Sequence, residues 1–273
     1  MKSILPEHIF ELNEKFIFLK NYNNSSVQET CIKQIYRSWF LKPGCVGIDI
    51  GAHKGLHTFD MAKLVGESGN IIAFEANPSL AMNLTKQALG QKQITIINAA
   101  CSNESKEYIS FYNNIDYPGQ STIKKDYGNN FTDKNEIKVP CINIDNFLGD
   151  YLSKKWLAFI KIDAEGAELE ILSGMKKLLK VKHPLICADI NLKTWMDNLD
   201  AFKKFLVDIN YACFLINGLE ITDLDYSTLD KINAPSYTMV FCKKSHWSYE
   251  FASDKEKMFK IVNATIDKTI QNL

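Results

Sequence analysis

The stretch VGIDIGAHKG, Val46–Gly55, joins a run of apolar residues to a glycine-containing turn. Gly51 and Gly55 permit a tight turn and let a ligand approach the backbone closely. The apolar run Cys45–Ile50 is short, as expected of a buried strand. The stretch therefore predicts a strand, a ligand-binding turn and a helix over Thr58–Val65.

Around this stretch, short apolar runs alternate with helical stretches. The predicted strands are Cys45–Ile50, Asn70–Glu75, Ile94–Ala99, Trp156–Asp163, Pro184–Ile190, Tyr211–Ile216 and Tyr237–Cys242, and the helices are Thr58–Val65, Ser79–Leu89, Ala167–Lys180 and Asp197–Ile209. This alternation indicates an α/β fold, Rossmann-like and doubly wound, with a mostly parallel seven-stranded sheet. Ligands of such folds bind at the carboxyl ends of the strands.

The chain divides into three predicted parts. Residues 1–43 form a helical N-terminal extension that ends at Pro43-Gly44, residues 44–245 the main domain, and residues 246–273 a C-terminal helix that opens with a capping box at Ser253. An insertion at about 103–145 carries two alternating runs, Glu107–Tyr112 and Glu136–Ile144, and is therefore predicted to be hairpin-like.

Composition excludes several classes of protein. Lys plus Arg and Asp plus Glu both number 32, so no basic footprint indicates a nucleic-acid partner. No apolar run approaches the ~18 residues of a membrane span, and the N-terminus lacks the apolar region of a signal peptide. The seven cysteines are scattered and never form a C-x-x-C pair. These features predict a cytoplasmic protein with free, buried thiols.

The charge of the first strand end predicts the charge of the ligand. A dinucleotide site needs G-x-G-x-x-G, whereas Gly51 and Gly55 have the spacing G-x-x-x-G. Asp49 lies two residues before Gly51, and a carboxylate there would repel a pyrophosphate. It suits a cationic ligand such as S-adenosylmethionine (SAM), which has an ammonium and a sulfonium group.

The next two strand ends are suited to a nucleoside. Glu75 follows Gly51 by 24 residues, about where an acidic residue accepts the ribose hydroxyls. A helix cap or a solvated loop would account for a lone acid at this position equally well. The small residues that end the third strand, Ala99 and Ala100, leave room for an adenine ring, although a tight turn would need them too.

A group of acids follows the fourth predicted strand. Glu168 and Glu170 suit a helix N-terminus, whereas Asp163 ends an apolar run and faces the same crevice as Asp49. Methyl transfer to an alcohol needs alignment and a base for the hydroxyl proton. The available bases are Asp163, Glu165, His53 and His57. Asp163, Glu165 and Asp189 could alternatively bind Mg²⁺, but we predict no metal.

With these residues, the sequence resembles the FkbM family of SAM-dependent methyltransferases. The most specific segment is IKIDAEGAELEILSGM, Ile160–Met175, and the supporting segments are IDIGAHKG (48–55), AFEANP (73–78), INAACS (97–102) and VPCINIDNFL (139–148). The resemblance implies a class I methyltransferase fold and O-methylation, typically of sugars or natural products such as polyketides. A departure is Asp189, where the family more often has glutamate.

The resemblance also implies roles for residues. Asp49, Gly51 and Glu75 would contact SAM, and Asp163 and Glu165 would line the active site. The full predicted cofactor-binding set is Asp49, Gly51, Ala52, His53, Gly55, Glu75, Ala76, Ala100 and Asp163, and the predicted catalytic set is Asp163, Glu165 and His53.

Two other functions stay open at this point: a catalytically silent SAM-binding module that serves a partner enzyme, and an NAD-dependent oxidoreductase. The acceptor is predicted to be a small molecule or glycan, and its identity cannot be read from the sequence. Tyr112, Tyr117, Tyr127 and Trp195 could stack on sugar faces, although aromatic residues pack hydrophobically at least as often. A homo-oligomer is compatible with the sequence.

Overall fold

The structure, a computed structural model, describes residues 32–33, 36–126, 131, 135–190, 199–215, 237–243 and 264. The chain falls into two compact units, one of residues 39–190 and the other of residues 1–38 with 191–273. The predicted domain boundaries after residues 43 and 245 stay predictions.

The 39–190 unit contains strands and helices in alternation. Its strands are β1 (Val46–Ile50), β2 (Asn70–Phe74), β3 (Ile94–Ile97), β4 (Ala100–Cys101), β5 (Lys106–Tyr112), β6 (Glu136–Ile142), β7 (Leu157–Ile162) and β8 (Leu185–Ile190). Its α-helices are α1 (Leu56–Val65), α2 (Pro78–Gln87), α3 (Ile144–Leu152), α4 (Glu168–Ser173) and α5 (Lys176–Lys182). The predicted α/β fold is confirmed, and most predicted bounds agree to within two residues.

Five parallel strands form the central sheet of this unit, in the order β3-β2-β1-β7-β8. Every residue of β1 and of β7 is buried, as expected of parallel strands covered on both faces. The chain passes from β1 to β2 on one side and returns to β7 on the other. The carboxyl ends of these three strands therefore meet at the switch point, where ligands of such folds bind. The count of seven strands stays a prediction.

The insertion forms a separate small sheet with the order β4-β6-β5. The predicted hairpin is confirmed, because β5 and β6 pair antiparallel. The alternating run predicted to reach Ile144 ends instead at Ile142. Asn143 caps α3 there, its Oδ1 accepting a hydrogen bond of 3.0 Å from the main-chain N–H of Asn146. Sequence periodicity alone missed this helix.

The prediction of one helix over Ala167–Lys180 is wrong, because the segment forms two helices, α4 and α5. Two contacts explain the break. A Cβ on Gly174 would lie 2.1 Å from the carbonyl oxygen of Ser102, so only glycine permits this approach. The carboxylate of Asp145 accepts hydrogen bonds of 2.8 Å from the main-chain N–H groups of Lys177 and Leu178, which caps α5.

The described part of the other unit contains α6 (Leu199–Ile209), β9 (Tyr211–Leu215) and β10 (Tyr237–Lys243). β9 and β10 pair antiparallel. In the predicted N-terminal extension, Tyr36–Phe40 form a π-helical turn. The rest of that extension and the predicted C-terminal helix lie outside the described residues, apart from residues 32–33, 41–43 and the helical Ala264.

Candidate functional site

Three loops meet at the switch point of the sheet. The glycine loop, residues 51–55, follows β1. The ribose turn, residues 75–77, follows β2, and the acid loop, residues 163–167, follows β7. Because Ile50 pairs with both Phe74 and Ile162, the three strands end at the same level. The sequence-predicted residues of the first, second and fourth strand ends therefore share one edge of the sheet.

The glycine loop packs directly on the acid loop. Gly51 has a φ of 76°, and a Cβ at this position would lie 1.8 Å from the carbonyl oxygen of Asp163. Gly55 has a φ of 81°, and its Cβ would lie 2.5 Å from the ring of Phe59. The N–H groups of Gly51 and Ala52 both donate to the carbonyl oxygen of Phe74, at 3.0 Å. Backbone conformation and close packing both require glycine at positions 51 and 55.

Asp49 lies beneath the glycine loop with its carboxylate fully buried. Its Oδ2 accepts a hydrogen bond of 2.5 Å from the Thr58 hydroxyl, and its Oδ1 lies 3.8 Å from the Nζ of Lys161. The acid that suggested a cationic ligand in the sequence thus has two partners within the protein, although its Oδ1 accepts no hydrogen bond among the described residues.

Lys161 is the site residue that sequence reasoning missed. Its ammonium lies 3.3 Å from the carbonyl oxygen of Gly51, 3.3 Å from Oδ2 of Asp163 and 3.8 Å from Oδ1 of Asp49. Burial disfavours the charged form, but the carboxylates of Asp163 and Asp49 outweigh it and raise the pKa of Lys161. One buried cation therefore joins the glycine loop to the acid loop. The sequence feature that could have identified Lys161 is the position of a lysine inside the otherwise apolar run LAFIKI.

Glu75 is held in the ribose turn by main-chain donors. Its Oε2 accepts a hydrogen bond of 2.7 Å from the N–H of His53, and its Oε1 accepts one of 2.8 Å from the N–H of Asn77. Burial raises the pKa of Glu75, and these two N–H groups act in the opposite direction. Because a carboxylate has about four lone-pair sites, Glu75 retains acceptor capacity for ribose hydroxyls. Asn98 supports the turn by donating to the carbonyl oxygen of Glu75 at 2.8 Å.

His53 has a φ of 52°, in the left-handed region, and its ring lies beside the insertion. A Cβ on Gly119 would be 3.6 Å from the His53 Nε2. This buried nitrogen has no hydrogen-bond partner among the described residues. Burial and the charge of Lys54 lower the pKa of His53, against an opposing effect of Asp163. A buried ring nitrogen without a partner among the described residues has unused capacity for a ligand.

The acid loop contains a partly exposed acid and a residue with a strained backbone conformation. The Asp163 side chain is 39% exposed, although its Oδ2 contacts Lys161. Glu165 has a φ of 49°, and burial, with the charges of Asp163 and Glu168 next, raises its pKa to about 8. Glu168 is buried and accepts hydrogen bonds of 3.1 Å from the N–H groups of Ala164 and Gly166, while burial raises its pKa to about 7. Glu168 therefore fixes the loop that presents Asp163 and Glu165.

The other predicted residues take packing positions. Ala76 packs against a hydrophobic cluster that contains Ala100. His57 is buried. Tyr112 is also buried, and its ring lies 5.8 Å from that of Phe131, so the suggestion that it stacks on a sugar face is wrong. Tyr117 is exposed, and Tyr127 and Trp195 lie outside the described residues.

No group of three or more His, Cys, Asp or Glu among the described residues is arranged to hold a metal ion. The donor set instead fits a cationic nucleoside. Glu75 retains acceptor capacity that suits hydroxyl groups, and the positive φ angles of Gly51 and Gly55 keep side chains out of the glycine loop. The Asp163 carboxylate suits a positive charge. The fold and this edge define a class I, Rossmann-like nucleoside-binding protein.

The comparisons with known proteins agree with this class. The methyltransferase FkbM domain matches residues 49–208, which is more than half of the chain. The chain therefore belongs to the FkbM methyltransferase family, and it is a SAM-dependent methyltransferase. This assignment removes the oxidoreductase alternative. No curated protein matches the sequence.

Solved structures include several similar chains. A protein from Clostridium thermocellum described as an rRNA methylase is 16% identical with a TM-score of 0.47, and the match covers 80% of this chain and 97% of that one. The FkbM methyltransferase from Methylobacillus flagellatus KT is 15% identical with a TM-score of 0.46, and the match covers 78% of this chain and 51% of that one. The family assignment rests on the sequence match rather than on these likenesses.

In the part of the chain that the structure describes, no helix is both long enough and apolar enough to cross a membrane.

Proposed function

We propose that this methyltransferase transfers the methyl group of SAM to a hydroxyl group of a sugar, a glycan or a natural product. The observation that carries the proposal is the partly exposed Asp163, followed by the strained Glu165 in a loop packed against the glycine loop. Hydroxyl groups need both alignment and a proton acceptor for this reaction. The acid loop offers carboxylates for both tasks.

The cofactor supplies a methyl group bound to a positively charged sulfur. We assign the ribose hydroxyls to Glu75, whose carboxylate is already oriented by two main-chain donors. The backbone of the glycine loop, from Gly51 through Ala52 and His53 to Gly55, would lie along the cofactor, and Ala76 and Ala100 would line the adenine. Asp163 would lie near the positive end.

Asp49 takes a different part in this proposal from the one its charge first suggests. Its carboxylate is buried and partnered by Thr58 and Lys161. We therefore assign it an indirect role, in which it holds Lys161, and Lys161 holds the Gly51 carbonyl and the Asp163 carboxylate.

The acceptor proton has three candidate bases. Glu165, with a pKa raised by burial to about 8, titrates near the pH at which a base is most effective. His53 offers a buried ring nitrogen that has no partner among the described residues. Asp163 is far more exposed than Asp49, the other carboxylate paired with Lys161. Each would orient the hydroxyl and receive its proton as the methyl group moves to the oxygen.

The test is formation of S-adenosylhomocysteine (SAH) from SAM with a panel of monosaccharides, glycans and hydroxylated polyketides. We expect turnover with a hydroxyl acceptor and, in Asp163→Asn and Glu165→Gln, a loss on the order of a hundredfold or more, as for lost acid–base catalysis. Lys92→Met, an exposed change, is the control.

Turnover only with amine or thiol acceptors would contradict O-methylation. SAM binding without turnover on any acceptor would favour the silent module. An operon that encodes capsule or secondary-metabolite enzymes would direct the choice of acceptors.

The cytoplasm is the proposed location. Its support is chemical, because Cys45, Cys101, Cys141, Cys187 and Cys213 are buried and free, as is usual in a reducing compartment.

A further inference from the structure

One hydrogen bond ties the insertion to the acid loop. The hydroxyl of Thr122 donates to the carbonyl oxygen of Glu165 at 2.7 Å, and the Thr122 side chain is buried. The same hydroxyl accepts from the N–H of Lys124 at 3.0 Å. Two main-chain hydrogen bonds join Thr122 to Tyr112, of 2.8 Å and 3.2 Å. Contacts within the insertion therefore fix the position of the Thr122 hydroxyl, which donates to Glu165.

The residue that Thr122 contacts needs such support. A non-glycine residue in the left-handed region is strained, and Glu165 has a φ of 49°. The peptide N–H groups on either side of Glu165, those of Ala164 and Gly166, donate to Glu168. The Glu165 carbonyl is held from the other side, because it accepts the hydrogen bond from the Thr122 hydroxyl. Together, Glu168 and Thr122 determine where the Glu165 side chain points.

The same segment of the insertion is attached at further points around the site. Lys124 forms an ion pair with Glu170 on α4. Asn113 accepts a hydrogen bond of 2.9 Å from Asn77 in the ribose turn, and Gly119 lies beside the His53 ring in the glycine loop. Residues 113–124 thus touch all three loops that carry the predicted site residues.

We propose that Thr122 is a positioning residue for methyl transfer, through which the insertion holds the Glu165 carboxylate in place. The proposal rests on the proposed function, because it concerns the same site. It assigns the insertion a part in assembling the acid loop. Loss of the Thr122 hydroxyl would leave the Glu165 carbonyl without its donor and release the strained residue to another conformation.

The experiment compares the affinities for SAM and for SAH, which differ by the methyl group and its positive charge, so their ratio reports the negative charge near the sulfur. Charged groups that act on Glu165 are Asp163 from the acid loop, Lys161 from β7, Glu168 from α4 and Asp189 from β8. We expect the wild-type preference for SAM to rise on the order of tenfold between about pH 6.5 and about pH 9, as Glu165 loses its proton.

The variants are Thr122→Val, which keeps the shape and removes the hydroxyl, and Thr122→Ser, which restores the hydroxyl. Thr85→Val is the matched control, because the Thr85 hydroxyl donates to the carbonyl oxygen of Ala81 within α2. We expect Thr122→Val to lose most of the pH-dependent rise, and Thr122→Ser and Thr85→Val to keep it. Calorimetric titration at each pH measures the affinities, and circular dichroism confirms that each variant is folded.

A pH-dependent rise in Thr122→Val equal to that of the wild type would overturn the proposal, even if the variant melts at a lower temperature. A wild-type ratio that does not change with pH would overturn it too, because Glu165 would then not lie near the sulfur. If the ratios behave as expected but no hydroxyl acceptor is methylated, the proposed function fails and the role of Thr122 stands.

Discussion

The glycine loop and the acid loop each follow a strand with an acid near its end, but the two acids differ in their exposure to solvent. Both follow a buried central strand, and each has an acid at the strand end, Asp49 or Asp163. Asp49 is 1% exposed and held by Thr58 and Lys161, whereas Asp163 is 39% exposed. At these two strands, the acid that follows the last strand residue is open to a ligand, whereas the acid inside the strand is enclosed by the protein. Asp49 lies one residue before the end of β1, and Asp163 one residue after the end of β7.

Lys161 makes the two loops depend on each other. Its ammonium contacts a carboxylate from each side and the carbonyl oxygen of Gly51. A lysine buried in a strand is costly unless it is paired. A substitution that disturbs the glycine loop should therefore also displace Asp163. The following predictions test this connection.

The largest effect is expected from Lys161→Met. The substitution leaves the buried Asp49 carboxylate without its cation, and breaking a buried pair costs about 3–5 kcal/mol. Unfolding in urea measures the change. Lys63→Met, at an exposed position on α1, is the control and should change stability by less than about 0.5 kcal/mol. An equally small effect of Lys161→Met would mean that the two loops are not joined by this residue.

Gly51→Ala should come next. Its Cβ would lie 1.8 Å from the Asp163 carbonyl oxygen, so the acid loop must move, and we expect a cost of about 3 kcal/mol from clash and backbone strain together. Gly90→Ala is the matched control, because Gly90 has a φ of 83° and nothing within 4 Å of the added Cβ.

The control Gly90→Ala should cost only about 1–2 kcal/mol, the price of the left-handed conformation alone. Equal losses in the two variants would show that the contact between the glycine loop and Asp163 is unimportant. Thermal and urea unfolding, with SAM titration of the folded fraction, separate these outcomes.

The pH dependence of stability tests Glu168, the buried acid that fixes the acid loop. Its pKa is raised by burial from 4.5 to about 7 in the folded protein, so the folded state holds this proton more tightly than the unfolded state. Stability from this group is therefore present at low pH and falls as pH rises from about 4.5 through about 7. Glu168→Gln should reduce the decline of the melting temperature between about pH 5 and about pH 8 by a few degrees.

The matched control for this measurement is Glu170→Gln, on the same helix, for which the ion pair with Lys124 is partly exposed. It removes a carboxylate from α4 and leaves the buried Glu168 in place, so it should not reproduce the change expected of Glu168→Gln. A wild-type and a Glu168→Gln profile that coincide would contradict the burial of a titrating Glu168.

Thr58→Val should cost less than Lys161→Met, because it removes one hydrogen bond to Asp49 and keeps the side-chain shape. A hydrogen bond to a charged group contributes about 1.5–3 kcal/mol, and Lys161 continues to partner the carboxylate. Urea unfolding should therefore show a loss smaller than that of Lys161→Met. A larger loss would make Thr58, rather than Lys161, the main partner of Asp49.

Much of the fold could be predicted from the sequence, because buried parallel strands are continuous apolar runs with glycine turns between them. Cys45–Ile50 and Trp156–Asp163 were located in this way to within a residue at each end. The break between α4 and α5 could not be predicted, since it depends on the contact of Gly174 with Ser102. That contact joins residues far apart in the chain.

The site could be predicted only in part, for a similar reason. Strand ends and charge brought Asp49, Glu75 and Asp163 to one edge of the sheet. Whether a carboxylate there faces a ligand or an internal partner depends on contacts between residues far apart in the chain. The roles of Lys161 and Thr122 depend on such contacts and could not be predicted. The lysine inside an apolar run was the one signal that sequence reading passed over.

The most direct test of the contrast between the two loops is calorimetric titration of SAM into Asp49→Asn and Asp163→Asn, with urea unfolding of each. We predict that Asp163→Asn weakens SAM binding on the order of tenfold with little change in stability. Asp49→Asn should lose stability by about 2–3 kcal/mol and bind SAM nearly as the wild type when folded. The reverse pattern, with SAM affinity lost in Asp49→Asn and kept in Asp163→Asn, would contradict the account.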